Sequence, residues 1–157
     1  LANDEAIYSP QISLIKTSES DGWKLLDPNK LNKISFIACP GIRQPSVITI
    51  NGEQRLNDND VQILKNKIKT IIQTAVKYDH KTVIFSALGC GAFRNPIKYV
   101  AEIFKSMLTE YDGVVLNYYF AIMTTSSNNY IVKTYSTETK KTIDIFKEVF
   151  GHSSKKS

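Results

Sequence analysis

Residues 82–108 read TVIFSALGCGAFRNPIKYVAEIFKSML, a strand, a glycine turn and a helix in immediate succession. Val83, Ile84 and Phe85 form the short apolar run expected of a strand buried on both faces. Gly89 and Gly91 then admit backbone angles closed to other residues. Asn95 is predicted as the N-cap of the helix and Pro96 as its first residue, where a missing N–H leaves nothing unbonded. Ile97, Val100, Ala101, Phe104, Met107 and Leu108 recur at helical spacing, which predicts one apolar face packed back on the sheet.

A strand that turns through glycines into a helix leaves unpaired N–H groups at the helix N-terminus, facing the space beyond the strand's carboxyl end. That space suits an anion. The loop residues Gly89, Cys90, Gly91, Ala92, Phe93, Arg94 and Asn95 add an aromatic ring that fits a sugar or base and a guanidinium that fits phosphate. A nucleotide diphosphate is the implied ligand. From pattern alone a second reading stands beside it, a tight strand-to-helix connection whose glycines only make the turn. The chain carries only the first half of G-x-G-x-x-G and no G-x-x-x-x-G-K-[ST].

Outward from this stretch, the chain alternates strands and helices. Ile7 to Tyr8 and Gln11 to Lys16 read as extended, and Trp23, Leu25 and Leu26 as an anchor on the core. Lys33 to Ala38 is a second apolar strand, stopped by Cys39-Pro40-Gly41 and expected beside residues 83–86 in a parallel sheet. Its following loop then rims the same crevice, with Arg43 as a weaker candidate anion contact. Gln44 to Leu56 is irregular, with a short strand at Val47, Ile48 and Ile50 before the Asn51-Gly52 turn.

Asn57 to Lys77 is the clearest helix, capped by Asn57 or Asp58 and buried along Val61, Leu64, Ile68, Ile71, Ile72 and Ala75. Asp58 and Asp60 read as acidic residues favoured in a first turn rather than as a catalytic pair. Val114 to Met123 is expected as another strand. A last helix is expected to start at Ser136 or Thr137, to bury Ile143, Phe146, Val149 and Phe150, and to end at Gly151. The β-α-β rhythm predicts an α/β fold.

Tyr8-Ser9-Pro10, Ala38-Cys39-Pro40, Ala75 with His80, and above all Ala87-Leu88-Gly89-Cys90-Gly91-Ala92-Phe93-Arg94-Asn95-Pro96 resemble the microbial-type poly(ADP-ribose) glycohydrolases. These are macrodomain-like proteins that bind ADP-ribose. The resemblance runs from about Ile7 to about Phe150. It implies a three-layer α/β/α sandwich with a mainly parallel or mixed sheet, in which the loop at Gly89, Cys90, Gly91, Ala92 and Phe93 wraps the diphosphate and distal ribose. It also implies that Asn128, Asn129 and Tyr130 lie near the distal ribose and adenine, as weaker contacts. ADP-ribose or an ADP-ribosylated protein is the implied partner, with no cofactor and no metal.

The family carries, upstream of the region matching Tyr8, a triple glycine followed by a Gln-Glu-Glu motif that supplies the catalytic acid. This chain has neither, and it begins at Leu1. The expectation is therefore one macrodomain-like domain over residues 1–151, lacking its N-terminal part, with a disordered tail at 152–157. An N-terminal fragment of the same protein is an expected partner. The implied activity is that of an ADP-ribosyl or poly(ADP-ribose) glycohydrolase if that segment exists in the intact protein. A non-catalytic ADP-ribose reader is the alternative.

Composition fits one domain: 157 residues, 42% of them hydrophobic, and no apolar run of the ~18 residues that would suggest a membrane span. The net charge of +5 leaves a basic nucleic-acid-binding domain as a further alternative, but the lysines are scattered along helices rather than gathered in a block. Two cysteines imply no disulfide framework, so a reducing compartment, cytoplasm or nucleus, is expected. Cys90 at a helix N-terminus raises the possibility of a nucleophile, against which stands the simpler reading of a small residue fitted between two glycines.

Overall fold

The computed structural model describes residues 5–115, 117–122 and 142–151. Ile7–Ser13 (β1) pairs antiparallel with Lys33–Ala38 (β2), Tyr8 opposite Ile37 and Ile12 opposite Ile34. The two extended pieces expected at the start are one strand. Its register shifts between Ser9 and Ile12, where Pro10 has no N–H for the ladder and Gln11 takes a φ of 48°.

Residues 44–56 are more regular than expected. Val47–Ile50 (β3) and Glu53–Leu56 (β4) form a hairpin whose two turn residues, Asn51 and Gly52, have φ of 52° and 80°, the pair of positive angles that a twisted hairpin needs. Asp58–Lys77 (α1) follows, capped by Asn57, whose side chain accepts from the Asp60 N–H at 2.8 Å. Asp60 is itself buried and its carboxylate accepts from the Ser46 N–H at 2.8 Å. That bond ties the start of the hairpin to the first turn of the helix.

Thr82–Phe85 (β5), Ile97–Glu110 (α2) and Asn117–Phe120 (β6) make a parallel crossover unit, with Val83 opposite Tyr118 and Phe85 opposite Phe120. Thr142–Phe150 (α3) packs on α2, where the Lys105 ammonium donates to the Val149 carbonyl at 2.7 Å. It ends at Gly151, whose φ of 75° suits a helix C-terminus. The core draws Leu56, Leu64, Ile68, Ile72, Val100 and Phe104 into full burial, and the rings of Phe85, Phe104, Phe120, Phe146 and Phe150 pack in sequence from strand to helix. Ile37 and Cys39 of the β1–β2 side join the same core.

The α/β class is as expected, and α1, α2 and α3 pack against one another in succession. Four local expectations change. The strand β2 is hydrogen-bonded to β1 rather than lying in a ladder with β5. Residues 83–85 are buried on one face only: Val83 and Phe85 are in the core while Ile84 is 66% exposed. Trp23 and Leu25 are no anchor, being 59% and 75% exposed, because their segment is held by main-chain bonds of 2.9 Å between Thr17 and Lys24 and between Ile15 and Leu26 at the surface. Pro96, not Asn95, caps α2, since the Asn95 side chain is used elsewhere. Met123, Ser136 and Thr137 lie outside the described residues. Among those described, no helix is long and apolar enough to cross a membrane.

Candidate functional site: the 89–95 loop

The loop between β5 and α2 is shaped by three of its own amides. Cys90 N–H donates to the Ala87 carbonyl at 3.0 Å, Arg94 N–H to Gly91 at 2.9 Å and Asn95 N–H to Gly89 at 3.1 Å. Gly91, Ala92 and Phe93, which stand between them, have no hydrogen-bond partner for their N–H groups among the described residues. Three successive free donors thus sit at the crest of the bend. An unpaired N–H away from water is costly, so their place is at an opening toward solvent or a ligand. Gly91 and Ala92 are exposed.

The inner side of the loop is built by Asn95. It is 3% exposed, and its Nδ2 donates to the Ile42 carbonyl at 2.8 Å and the Gly89 carbonyl at 2.9 Å, with the Phe93 carbonyl at 3.5 Å. Three carbonyls around one atom settle which end of the amide faces them. Asn95 therefore joins the 89–95 loop to the loop that follows β2. The second tie is steric. A Cβ on Gly41 would stand 2.7 Å from Gly89 Cα and 2.8 Å from Gly89 N, so the two loops touch glycine on glycine. Gly89 has a φ of 75°, and a Cβ there would meet Asn95 Nδ2 at 2.5 Å. Gly91 differs from both: no atom lies within 4 Å of where its Cβ would be.

The sequence candidates fall into three groups. Gly89 and Asn95 form the frame, and Gly91, Ala92 and Phe93 present the free donors, with the Phe93 ring half-buried and its Cδ2 3.4 Å from the Cβ position of Gly41. Arg94 is exposed at a φ of 56°. Arg43, also exposed, follows directly on Ile42, so the bond from Asn95 brings its loop to the site as expected. Asn128, Asn129 and Tyr130 lie outside the described residues. The sequence places the Pro40-Gly41-Ile42-Arg43 loop at the rim but does not disclose the contact of Gly41 with Gly89 or the bond from Asn95 to the Ile42 carbonyl. The Pro40-Gly41 pair was the available signal, since glycine marks close backbone approach as well as turns.

Cys90 is buried, its Sγ lies 3.8 Å from the Leu88 carbonyl, and burial pushes its thiol up to about 12. At neutral pH it is protonated and inert, so the reading as a small packed residue holds over the nucleophile. Because the folded-state value lies above the unfolded one, the contribution of Cys90 to stability is complete below the ordinary thiol range and is lost as pH rises toward about 12. Denaturant melts of the parent and of Cys90→Ala, run from pH 8 upward, are expected to diverge in slope: the parent loses stability more steeply. Equal slopes would show that Cys90 ionises freely. Cys39 is likewise raised by burial, offset in part by the buried Lys67 of α1.

Near the start of α2, Lys98 and Arg55 both bind the Glu53 carboxylate, and Arg55 also lies 5.5 Å from the centre of the Tyr99 ring. These cations are already engaged, and the Lys98 bond, with that of Arg55, holds Glu53 below the usual carboxylate range. Among the described residues no three His, Cys, Asp or Glu side chains are grouped to hold a metal ion.

A strand-to-helix bend on a βαβ unit, braced by a second loop and carrying three amides without a partner among the described residues, marks this as an α/β domain with its candidate site at the bend. The chain belongs to the macro domain family, whose model matches residues 25–104. Among solved structures it is similar to poly(ADP-ribose) glycohydrolase from Deinococcus radiodurans in complex with ADP-ribose, at 21% identity and a TM-score of 0.65, covering 94% of this chain and 52% of that one. It is also similar to the Thermomonospora curvata poly(ADP-ribose) glycohydrolase bound to the inhibitor ADP-HPD, at 22% identity and a TM-score of 0.63, covering 78% of this chain and 44% of that one. The chain thus spans about half the length of these structures. No curated protein matches it in sequence.

Proposed function

We propose that this chain is an ADP-ribose-binding macrodomain and the diphosphate-holding part of an ADP-ribosyl or poly(ADP-ribose) glycohydrolase. The observation that carries the reading is the run of unpaired amides at Gly91, Ala92 and Phe93 beside a glycine that faces open space. Those donors match the oxygens of a pyrophosphate, and α2 behind them adds the positive end of its dipole. Phe93 supplies a ring for the distal ribose, and Arg94 and Arg43 supply cationic rims. ADP-ribose enters as ligand, with no resident cofactor.

In the intact enzyme the reaction is hydrolysis at C1 of the distal ribose. The bond from C1 to the leaving oxygen breaks as a carboxylic acid gives that oxygen its proton, water oxygen bonds to C1, and the resulting carboxylate takes a proton from the water. This chain's part is positioning: holding the diphosphate fixes C1 against the attacking water. The sequence has no adjacent glutamates, so no residue of this chain is assigned as the acid. The same lack favours a second reading, a reader that binds without turnover. The free thiols of Cys39 and Cys90 fit a reducing compartment, cytoplasm or nucleus.

Calorimetry with ADP-ribose, paired with a hydrolysis assay on ADP-ribosylated protein, tests both. Saturable binding at the 89–95 loop is expected, without turnover by residues 1–157. Affinity that collapses with salt and is matched by a plain oligonucleotide would instead mark a nucleic-acid domain and overturn the proposal.

A further inference from the structure

We propose that the surface arm formed by residues 14–26 is a self-association element, which pairs head to tail with the same arm of a second copy of this chain. The arm is a small hairpin. Lys16 stands opposite Leu25, with the Thr17 N–H donating to the Lys24 carbonyl and the Leu26 N–H to the Ile15 carbonyl, both at 2.9 Å. At its tip Glu19–Asp21 make one short turn, fixed by the Ser18 hydroxyl donating to the Asp21 carboxylate at 2.7 Å and closed by Gly22 at a φ of 81°. Trp23, the single tryptophan of the chain, follows with a φ of 54°, its N–H donating to the Ser18 carbonyl at 3.1 Å. The arm turns its apolar side chains to water: Ile15, Trp23 and Leu25 are 56%, 59% and 75% exposed. A large side chain in the left-handed region is uncommon, and such strained positions concentrate where a surface has a task. Glycine or asparagine would make the same turn without strain, so what tryptophan adds is apolar area held in solvent.

Charge decides the occupant. The tip carries Glu19 and Asp21, and the arms directly behind it carry Lys16 and Lys24, none of them in an ion pair among the described residues. Trp23 lies between the two groups along the chain path. A two-fold axis near Trp23 sets the indole against its own copy and each acidic tip against the other copy's lysines, so one isologous contact satisfies both poles. Pairing in the same direction would instead oppose tip to tip. A polyanion or an anionic lipid layer meets the acidic tip first, which disfavours it. Contact limited to so small an arm falls at the low end of interface sizes, and association is correspondingly weak, on the order of 10 μM or above.

Sedimentation of residues 1–157 across a concentration series, paired with the fluorescence emission of Trp23, tests this. Mass is expected to rise from monomer toward dimer, and emission to move to the blue over the same range as the indole leaves water; added salt shifts both to higher concentration. Trp23→Gly places glycine where the backbone suits it, and is expected to stay monomeric with an unchanged or higher melting temperature in dilute solution. Glu19→Lys and Lys24→Glu are each expected to weaken association several-fold, and their equimolar mixture to recover the parent's affinity, because the exchanged charges then face one another in both halves of the contact. A parent that stays monomeric to about 1 mM overturns the proposal, as does a dimer indifferent to Trp23→Gly or one whose Trp23 emission does not move. Failure of the mixed variants to recover overturns the head-to-tail pairing. Co-sedimentation of the monomer with phosphatidylserine vesicles would give the arm to a lipid surface and overturn the proposal too. None of these readouts involves ADP-ribose or the 89–95 loop, so the result is independent of the ligand assignment.

Discussion

Gly91→Trp is expected to lose ADP-ribose affinity by at least ~100-fold, about 2.7 kcal/mol, while melting at the temperature of the parent. Space around Gly91 is the reason for both halves of this result. No protein atom stands within 4 Å of its would-be Cβ, and its φ lies outside the left-handed range, so a side chain there meets no neighbour and strains no backbone. The indole would instead occupy the volume in front of the amides of Gly91, Ala92 and Phe93. Calorimetry and a thermal melt on the same sample give the two numbers. Unchanged affinity would move the diphosphate away from the bend altogether.

Asn95→Asp is expected to be the most damaging single-atom exchange in the described chain, at about 3–5 kcal/mol of stability near neutral pH. The replacement turns a donor that serves the carbonyls of Ile42 and Gly89 into an oxygen facing them. A carboxylate in that position is buried, repelled and unpaired, so its pKa must rise in the folded state. Stability of the variant is then greatest below the ordinary carboxylate range, where the protonated acid keeps one donor, and falls as pH rises through the elevated folded value. Denaturant titrations at acid and neutral pH check this directly. A variant equally stable at both would mean that the side chain swings out to water and that the two loops stay joined without it.

The two substitutions act on opposite sides of one bend, and the contrast explains how much was legible beforehand. The bend itself is local: Gly89, Gly91 and Pro96 declare it within eight residues, and the helices on either side follow from their apolar spacing. The role of Asn95 is not local. Its residue type fits an N-cap as well as a brace, and only the approach of Ile42, 53 positions away, decides between them. The same holds for Ile84. A three-residue apolar run reads as buried on both faces, but whether a second layer exists is a property of the rest of the molecule.

Residues 44–56 show the reverse case, where a local signal was present and under-read. Asn51-Gly52 after the β-branched run Val47-Ile48-Thr49-Ile50 is a strong short-range hairpin signal, and β4 follows from it although Glu53, Gln54 and Arg55 are polar. Polarity here reflects neighbours: Glu53 and Arg55 meet Lys98 and Tyr99 of α2 rather than water alone.

Contact between Gly41 and Gly89 makes the two bends a single mechanical part. Gly41 cannot be given a side chain because the backbone of Gly89 occupies the space, and Gly89 cannot because the Asn95 side chain does. Anyone transplanting this cradle into a different scaffold would have to carry both segments together, in register, and would gain little from copying the glycine-rich sequence by itself.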